Sequence, residues 1–248
     1  MFGNHFYHAT TRKAVALFGT IFNNINVIRQ DGSGNVLNQI KGPLAYGPKQ
    51  KFLSRLDSVT GQDASMAIKL PRMGFEITSM DIDSTQKLAK RNQIVENHAT
   101  DSTKKKTIKQ AVAYNINMSL YAMAKNQDDG LQIMEQILPY FQPEYTVTIT
   151  PVTGFTYKQD VPIILNAVTI QDDYEGDYQT RRALIYQFDF VMKMKYFGPT
   201  SDQGVIKEIN LDFNADMGGA NVLENMDFTI TPVSADEDDN YTVNVSIT

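Results

Sequence analysis

From Ala183 to Tyr196 the chain reads A-L-I-Y-Q-F-D-F-V-M-K-M-K-Y. Leu184, Tyr186, Phe188, Phe190, Met192, Met194 and Tyr196 occupy every second position, with Gln187, Asp189, Lys193 and Lys195 among the residues between them. Successive side chains of a strand point to opposite faces, so the spacing predicts one apolar face and one largely polar face. A strand of this length is roughly twice the usual one. It belongs at the centre of its sheet or extends past it.

Upstream, Ala113 to Met123 carries the same period. Tyr114, Ile116, Met118, Leu120 and Ala122 share one face, and Asn115, Asn117, Ser119 and Tyr121 the other. Asn126 to Asp129 then predicts a helix start, with acids at the positive end of its dipole. The helix is expected from about Asp129 to Phe141, with Leu131, Met134, Ile137, Leu138 and Phe141 inward. Pro139 and Pro143 bracket its end. Further out, Thr10 or Thr11 is expected to cap a helix reaching Asn23. A hairpin follows from Ile25 to Ile40 about the turn Asp31–Asn35. Pro48 opens a second helix with Phe52, Leu53 and Leu56 as its stripe. Arg72 to Ile82 is read as a strand with Phe75, Ile77 and Ser79 on one side.

Downstream, strands are expected at Tyr145–Thr150, Val161–Ile170 and Val205–Phe213. A polar connection is expected from Asp172 to Thr180. Short, weak strands at Asp227–Thr231 and Tyr241–Ile247 flank an acidic turn, and such strands are often ordered by a neighbouring sheet edge. Strands outnumber helices and cluster late. This predicts an α+β fold: a mostly antiparallel β-sheet flanked by two to three helices, with a long polar arm. Residues 1–213 are read as one domain, with 84–107 as an extended arm, and 214–248 as an acidic extension.

The 248 residues include no cysteine, which excludes disulfides and cysteine-ligated metal. Nothing near the start reads as a signal peptide, and Ala14–Ile28 is too polar to span a bilayer. The expectation is folding in a reducing cytoplasm, with no membrane partner. The net charge is -5, so a general affinity for nucleic acid is not implied. Its distribution is uneven. Between Ser84 and Lys109 seven basic residues face two acids, whereas from Glu208 onward nine acids face no Lys or Arg. Segregated charge repels copies of a chain at some contacts and attracts them at others.

The chemistry of catalysis is not recognisable. His5 and His8 lack a third ligand at defined spacing. The Asp81/Asp83 and Asp128/Asp129 pairs lack a calcium-loop pattern and read as caps or turns. Gly32-Ser33-Gly34 is followed by no helix and Lys-Ser/Thr pair, so it is a turn rather than a phosphate loop. The run Lys104-Lys105-Lys106 lacks the interleaved aromatics of a nucleic-acid platform. A metal-dependent hydrolase is therefore the remote alternative, and no cofactor or metal is expected.

Gln132 to Pro143 reads Q-I-M-E-Q-I-L-P-Y-F-Q-P. It closely resembles the helix-plus-proline signature of the tail sheath stabiliser and completion proteins of T-even-like contractile-tailed phages. Met1-Phe2-Gly3, Arg12-Lys13, Phe22 to Ile25, Pro43 to Gly47, Leu70-Pro71-Arg72 and Asp177 through Arg181-Arg182 are similar to that family's blocks in the same order. The resemblance covers Met1 to Phe213; the basic arm and the part after Asn214 depart from the pattern. It implies a non-enzymatic subunit of a homohexameric ring in the virion, assembled in the host cytoplasm. Such a ring grips the last sheath disc, completes the tail and joins it to the neck. The implied partners are other copies, the sheath protein, the tube or its terminator and neck proteins, with DNA only passing through the channel. A tail-tube terminator or other tail or baseplate ring subunit is the nearest alternative. Candidate interface residues are Lys104, Lys105, Lys106, Arg181 and Arg182, together with Phe228, Ile230, Val243 and Val245 on the terminal strands, which are expected to pair with a neighbour.

Overall fold

The structure is a computed structural model that describes residues 5–57, 70–87, 89–98, 104–173, 183–204, 206, 208–214, 222–231 and 242–247. Its elements are α1 (Thr10–Phe22), β1 (Asn26–Gln30), β2 (Val36–Lys41), β3 (Leu44–Tyr46), α2 (Lys49–Asp57), β4 (Arg72–Ile82), β5 (Gln93–Asn97), β6 (Lys104–Lys109), β7 (Val112–Ala124), α3 (Gln127–Ile137), β8 (Glu144–Ile149), β9 (Gln159–Asp173), β10 (Ala183–Tyr196), β11 (Thr200–Gly204), β12 (Glu208–Asn214), β13 (Val222–Thr231) and β14 (Thr242–Ile247). The sheets are overwhelmingly antiparallel, and the α+β expectation is met.

Residues 7–87 and 112–196 make one compact unit. Its six-stranded sheet has the order β3-β4-β7-β10-β9-β8, so the long strand is central as expected. β10 pairs with β7 along its length, from Leu184 opposite Ala124 to Tyr196 opposite Val112. Its even-numbered side chains from Leu184 to Met194 are all buried, and they meet Ile116, Met118, Leu120 and Ala122 of β7. Strand periodicity alone dictates this face. α1 and α3 cover it. The rings of Phe18, Phe22 and Phe141 surround Phe190 at centroid distances of 5.3, 5.4 and 5.0 Å, in tilted and edge-on geometries that ring quadrupoles favour. α3 approaches closely because Gly130 lies flat against Tyr186; a Cβ there would sit 2.1 Å from a ring carbon. On the other face α2 contributes Phe52, packed with Tyr121, Met123 and Ile185.

Several local expectations need correction. The N-cap position of α1 falls on Ala9, which has φ 55°, and no side chain caps the helix. Thr10 is buried instead, and the Thr11 hydroxyl is used 2.9 Å from the Tyr196 hydroxyl. α3 gives way to a 3₁₀ turn at Leu138–Tyr140, because Pro139 cannot continue the ladder. The tighter turn exposes Leu138, which was expected inward, and the buried positions are Ile133, Ile137 and Phe141. Ser79 was expected beside Phe75 and Ile77. A bulge between Ile77 and Ser79 reverses the alternation, and Ser79 joins the polar face. The Leu56 side chain and residues 174–182 lie outside the described residues.

Residues 1–6, 88–111 and 197–248 form the second unit. It holds two three-stranded sheets, β11-β6-β5 and β12-β13-β14. The polar arm is thus a β5–β6 hairpin, with Thr107 and Ile108 of β6 buried. β11 was not expected, since T-S-D-Q-G carries no apolar alternation. β6 holds it through backbone pairing and through Thr107, whose hydroxyl donates to the Ser201 carbonyl at 3.0 Å. The strand expected from Val205 is β12, beginning at Glu208.

Candidate assembly surfaces

The signature helix is built to hold the β1–β2 hairpin. Gln132 and Gln136 lie one turn apart on α3, on the side facing β1. The Ile28 amide donates to Gln132 Oε1 at 2.9 Å, and Gln132 Nε2 donates to the Ile28 carbonyl at 2.9 Å. Gln136 repeats the pattern on Asn26, at 3.4 and 2.7 Å. Each carboxamide stands where a neighbouring strand's peptide group would stand. The outer edge of β1 is satisfied by a helix, and pairing with β2 satisfies its other edge.

The second face of the central sheet is a polar network. Asn117 Nδ2 donates to Ser79 Oγ and Asp81 Oδ2, both at 2.7 Å. Ser119 and Gln187 both donate to Asp189 Oδ1, at 2.6 and 2.9 Å. The Tyr121 hydroxyl donates to Glu76 Oε1 at 2.8 Å. Burial and the adjoining Glu76 push the Tyr121 phenol up to about 12, because both disfavour the phenolate. These groups satisfy one another, which is the pattern of a rigid structural surface rather than a reactive site.

The acid pairs have structural partners. Asp83 accepts from the amide and hydroxyl of Thr85, Asp128 accepts from Gln132, and Asp129 holds Arg29. Among the described residues no group of three or more His, Asp or Glu is placed to hold a metal ion, and no helix is long and apolar enough to cross a membrane. An apolar groove of about 670 Å³ runs between the C-terminal ends of α1 and α3, lined by Leu17, Ile21, Phe22, Tyr140 and Tyr145 among others. It contains no nucleophile paired with a base.

The three consecutive lysines do not form one patch. Alternation along β6 sends Lys104 and Lys106 to one face and Lys105 to the other. Lys106 lies between Glu96 on β5 and Asp202 on β11 in the ladder, so opposite charges flank it on both sides. Arg181 and Arg182 lie outside the described residues.

Phe228, Ile230, Val243 and Val245 are brought together. β13 pairs with β14 so that Phe228 faces Val245 and Ile230 faces Val243. β12 adds Ile209 opposite Phe228 and Leu211 opposite Met226, with Ile247 beyond Met226. One face is therefore apolar across Ile209, Leu211, Met226, Phe228, Ile230, Val243, Val245 and Ile247, with Glu224 joining it opposite Phe213, while Asn210, Asp212, Asn225, Asp227, Asn244 and Ser246 alternate onto the other. Ile209, Leu211, Phe213, Val243, Val245 and Ile247 all remain close to half-exposed. Sequence reading missed Ile209, Leu211, Phe213 and Met226. The signal that finds them is the same period of two, read across all three strands.

A family model described as the T4-like virus Myoviridae tail sheath stabiliser matches residues 5–248. The match runs through the C-terminal strands, which corrects the expectation that the part after Asn214 departs from the pattern. The chain is also similar to the tail completion protein gp15 of Enterobacteria phage T4, with 28% identity over 251 residues covering 96% of this chain and 90% of the relative. The helix-plus-proline resemblance and the whole-chain match agree: the chain belongs to the T4-like virus Myoviridae tail sheath stabiliser family, the tail completion proteins of contractile-tailed phages.

Proposed function

We propose that six copies of this chain form a ring at the head-proximal end of the tail. There the ring stabilises the last sheath disc, completes the tail and joins it to the neck, with an axial channel for DNA. It acts by contact, without catalysis or cofactor, and is assembled in the host cytoplasm. Its partners are other copies, the sheath protein, the tube or its terminator and neck proteins.

The observation that carries this reading is the apolar face of β12-β13-β14. A three-stranded sheet needs a covered hydrophobic face for stability, and this one has two outer rows of half-exposed apolar side chains on β12 and β14 flanking a partly buried central row on β13. Contiguous apolar surface of that kind marks an interaction site. Phe228, Ile230, Val243 and Val245 lie in it. β13 is paired on both sides, so a neighbour's strand would add at β14 or β12. Lys104, Lys105 and Lys106, divided between the two faces of β6, and Arg181 and Arg182 remain candidates for a second contact.

Electron microscopy of the purified protein with a mass measurement tests the ring. Six-fold particles with an open centre are expected, and a persistent monomer overturns the reading. Sheath binding is then compared with tube binding; preference for the tube would make the protein a tube terminator instead. Removing Asp227–Thr248 is expected to weaken ring or sheath attachment, and unchanged tail stability would sink the assignment to that segment.

A further inference from the structure

The six-stranded sheet ends in two steps. On one margin β3 covers only Met73–Phe75 of β4, and no strand lies beyond Glu76–Ile82 among the described residues. On the other margin β8 covers only Gln159–Ile164 of β9, and among the described residues no strand lies beyond Leu165–Asp173. Both steps can be placed on the central strand through the ladders. β3 lies level with Tyr186 to Phe188, and the free half of β4 lies level with Asp189 to Met194. On the other side the free half of β9 lies level with Ala183 to Phe190, and β8 begins at Val191. Where one margin protrudes the other is recessed. The step falls after Phe188 on one side and after Phe190 on the other.

Strand directions fit as well. β3 is parallel to β4, and each of the pairs β4-β7, β7-β10, β10-β9 and β9-β8 is antiparallel. β3, β4, β8 and β10 thus run one way. A second copy rotated about an axis along the strands keeps those directions. Its β8 enters the recess beside β4, and β3 enters the recess beside its β9. β3 and the incoming β8 then share one lane, end to end and in the same direction.

We propose that copies of this chain join margin to margin through this lapped joint, with β3 antiparallel to the neighbour's β9 and the neighbour's β8 parallel to β4. The free halves read E-I-T-S-M-D-I and L-N-A-V-T-I-Q-D-D. Neither contains the lysine or proline that commonly blocks an exposed edge. Tyr46, Met80, Ile82, Tyr145 and Ile170 leave apolar surface along the margins. Two different margins make a heterologous contact, which repeats in one direction and closes when the rotation closes. The inference rests on the ring reading above and names the contact that builds it.

The chain has no cysteine, so introduced pairs report the joint cleanly. Met80 and Tyr145 lie at one level through Ile116, Met192 and Ile163. Tyr46 and Val168 lie at another through Phe75, Leu120 and Phe188. Full-length Met80→Cys/Tyr145→Cys and Tyr46→Cys/Val168→Cys proteins under mild oxidation are expected to give reducible ladders up to six chains. Mixing the Met80→Cys and Tyr145→Cys single variants should stop at dimers. Moving the partner cysteine to Val147 or Ile170 allows for a register offset. Native mass of each variant checks that it still folds and assembles. Six-chain particles with no cross-link at any position would overturn the joint and leave the ring standing. Lone chains at high concentration would overturn both. Cross-links to added sheath protein in place of cross-links between copies would assign these margins to sheath and overturn the self-contact.

Discussion

Arg29 on β1 grips Asp129 in the first turn of α3 with two parallel hydrogen bonds, Nε to Oδ1 at 3.2 Å and a terminal guanidinium nitrogen to Oδ2. The Asp129 side chain is 2% exposed and that of Arg29 37%. The hydrogen bond raises the arginine's already high pKa, so its charge is fixed across the accessible range. Removing the arginine leaves a buried carboxylate without its partner, the costly way to break such a pair. Arg29→Ala is expected to destabilise the protein by about 2 kcal/mol, toward the lower end because solvent reaches the guanidinium. Urea unfolding measures it. Asp129→Asn in the same background should recover part of the loss; equal midpoints for the single and double variants would refute the coupling.

Gln132 and Gln136 should behave as surrogate strand residues. Gln132→Ala removes both bonds to Ile28 and is expected to cost about 1–2 kcal/mol. Gln132→Glu keeps the acceptor for the Ile28 amide but loses the donor and sets a carboxylate against the Ile28 carbonyl. It should therefore be no better tolerated than alanine. Amide exchange at Ile28 is the local readout, and it should accelerate in both variants.

These glutamines also show what was legible. The alternation of β7 and β10 predicted their central faces residue by residue, because burial on one face imposes a strict period of two. The QxxxQ spacing on a helix was visible as well, but its role was not. Which backbone edge it faces depends on where the hairpin from Asn26 to Lys41 docks, and that is set by long-range packing. Leu138 and Ser79 failed for local reasons. A proline-induced 3₁₀ turn and a bulge each shift phase, and neither shift is marked by apolar spacing. Of the candidate surface, Phe228, Ile230, Val243 and Val245 were identified one strand at a time. The full face and the stepped margins emerge only once register is known.

Gly130 is required by the ring it faces. A Cβ would stand 2.1 Å from Tyr186 Cε2 and 2.7 Å from Cζ, and Tyr186 is enclosed in the core. Overpacking of this kind typically costs about 1–3 kcal/mol, and better helix propensity returns only about 1 kcal/mol. Gly130→Ala is expected to lower the unfolding midpoint. Gly130→Ala combined with Tyr186→Leu should lose less than the sum of the single changes, since the clash is gone. Strict additivity would show that the contact is not the cause.

Tyr121 predicts an alkaline limit. Its phenol is buried against Glu76 and holds its proton up to about 12, against an ordinary value of 10.0. The folded state therefore binds this proton more tightly than the unfolded chain does. The associated stability is fully present below pH 10, declines as the unfolded tyrosine ionises, and is gone once pH passes the folded value. Tyr121→Phe removes the titration along with the hydrogen bond to Glu76. Near neutral pH the variant should be less stable, by roughly the 1–2 kcal/mol of a hydrogen bond to a charged partner. Between pH 10 and 12 the gap to the unchanged protein should narrow. Unfolding midpoints measured across that window decide the matter: parallel curves would mean that Tyr121 ionises no differently in the folded sheet than in the open chain.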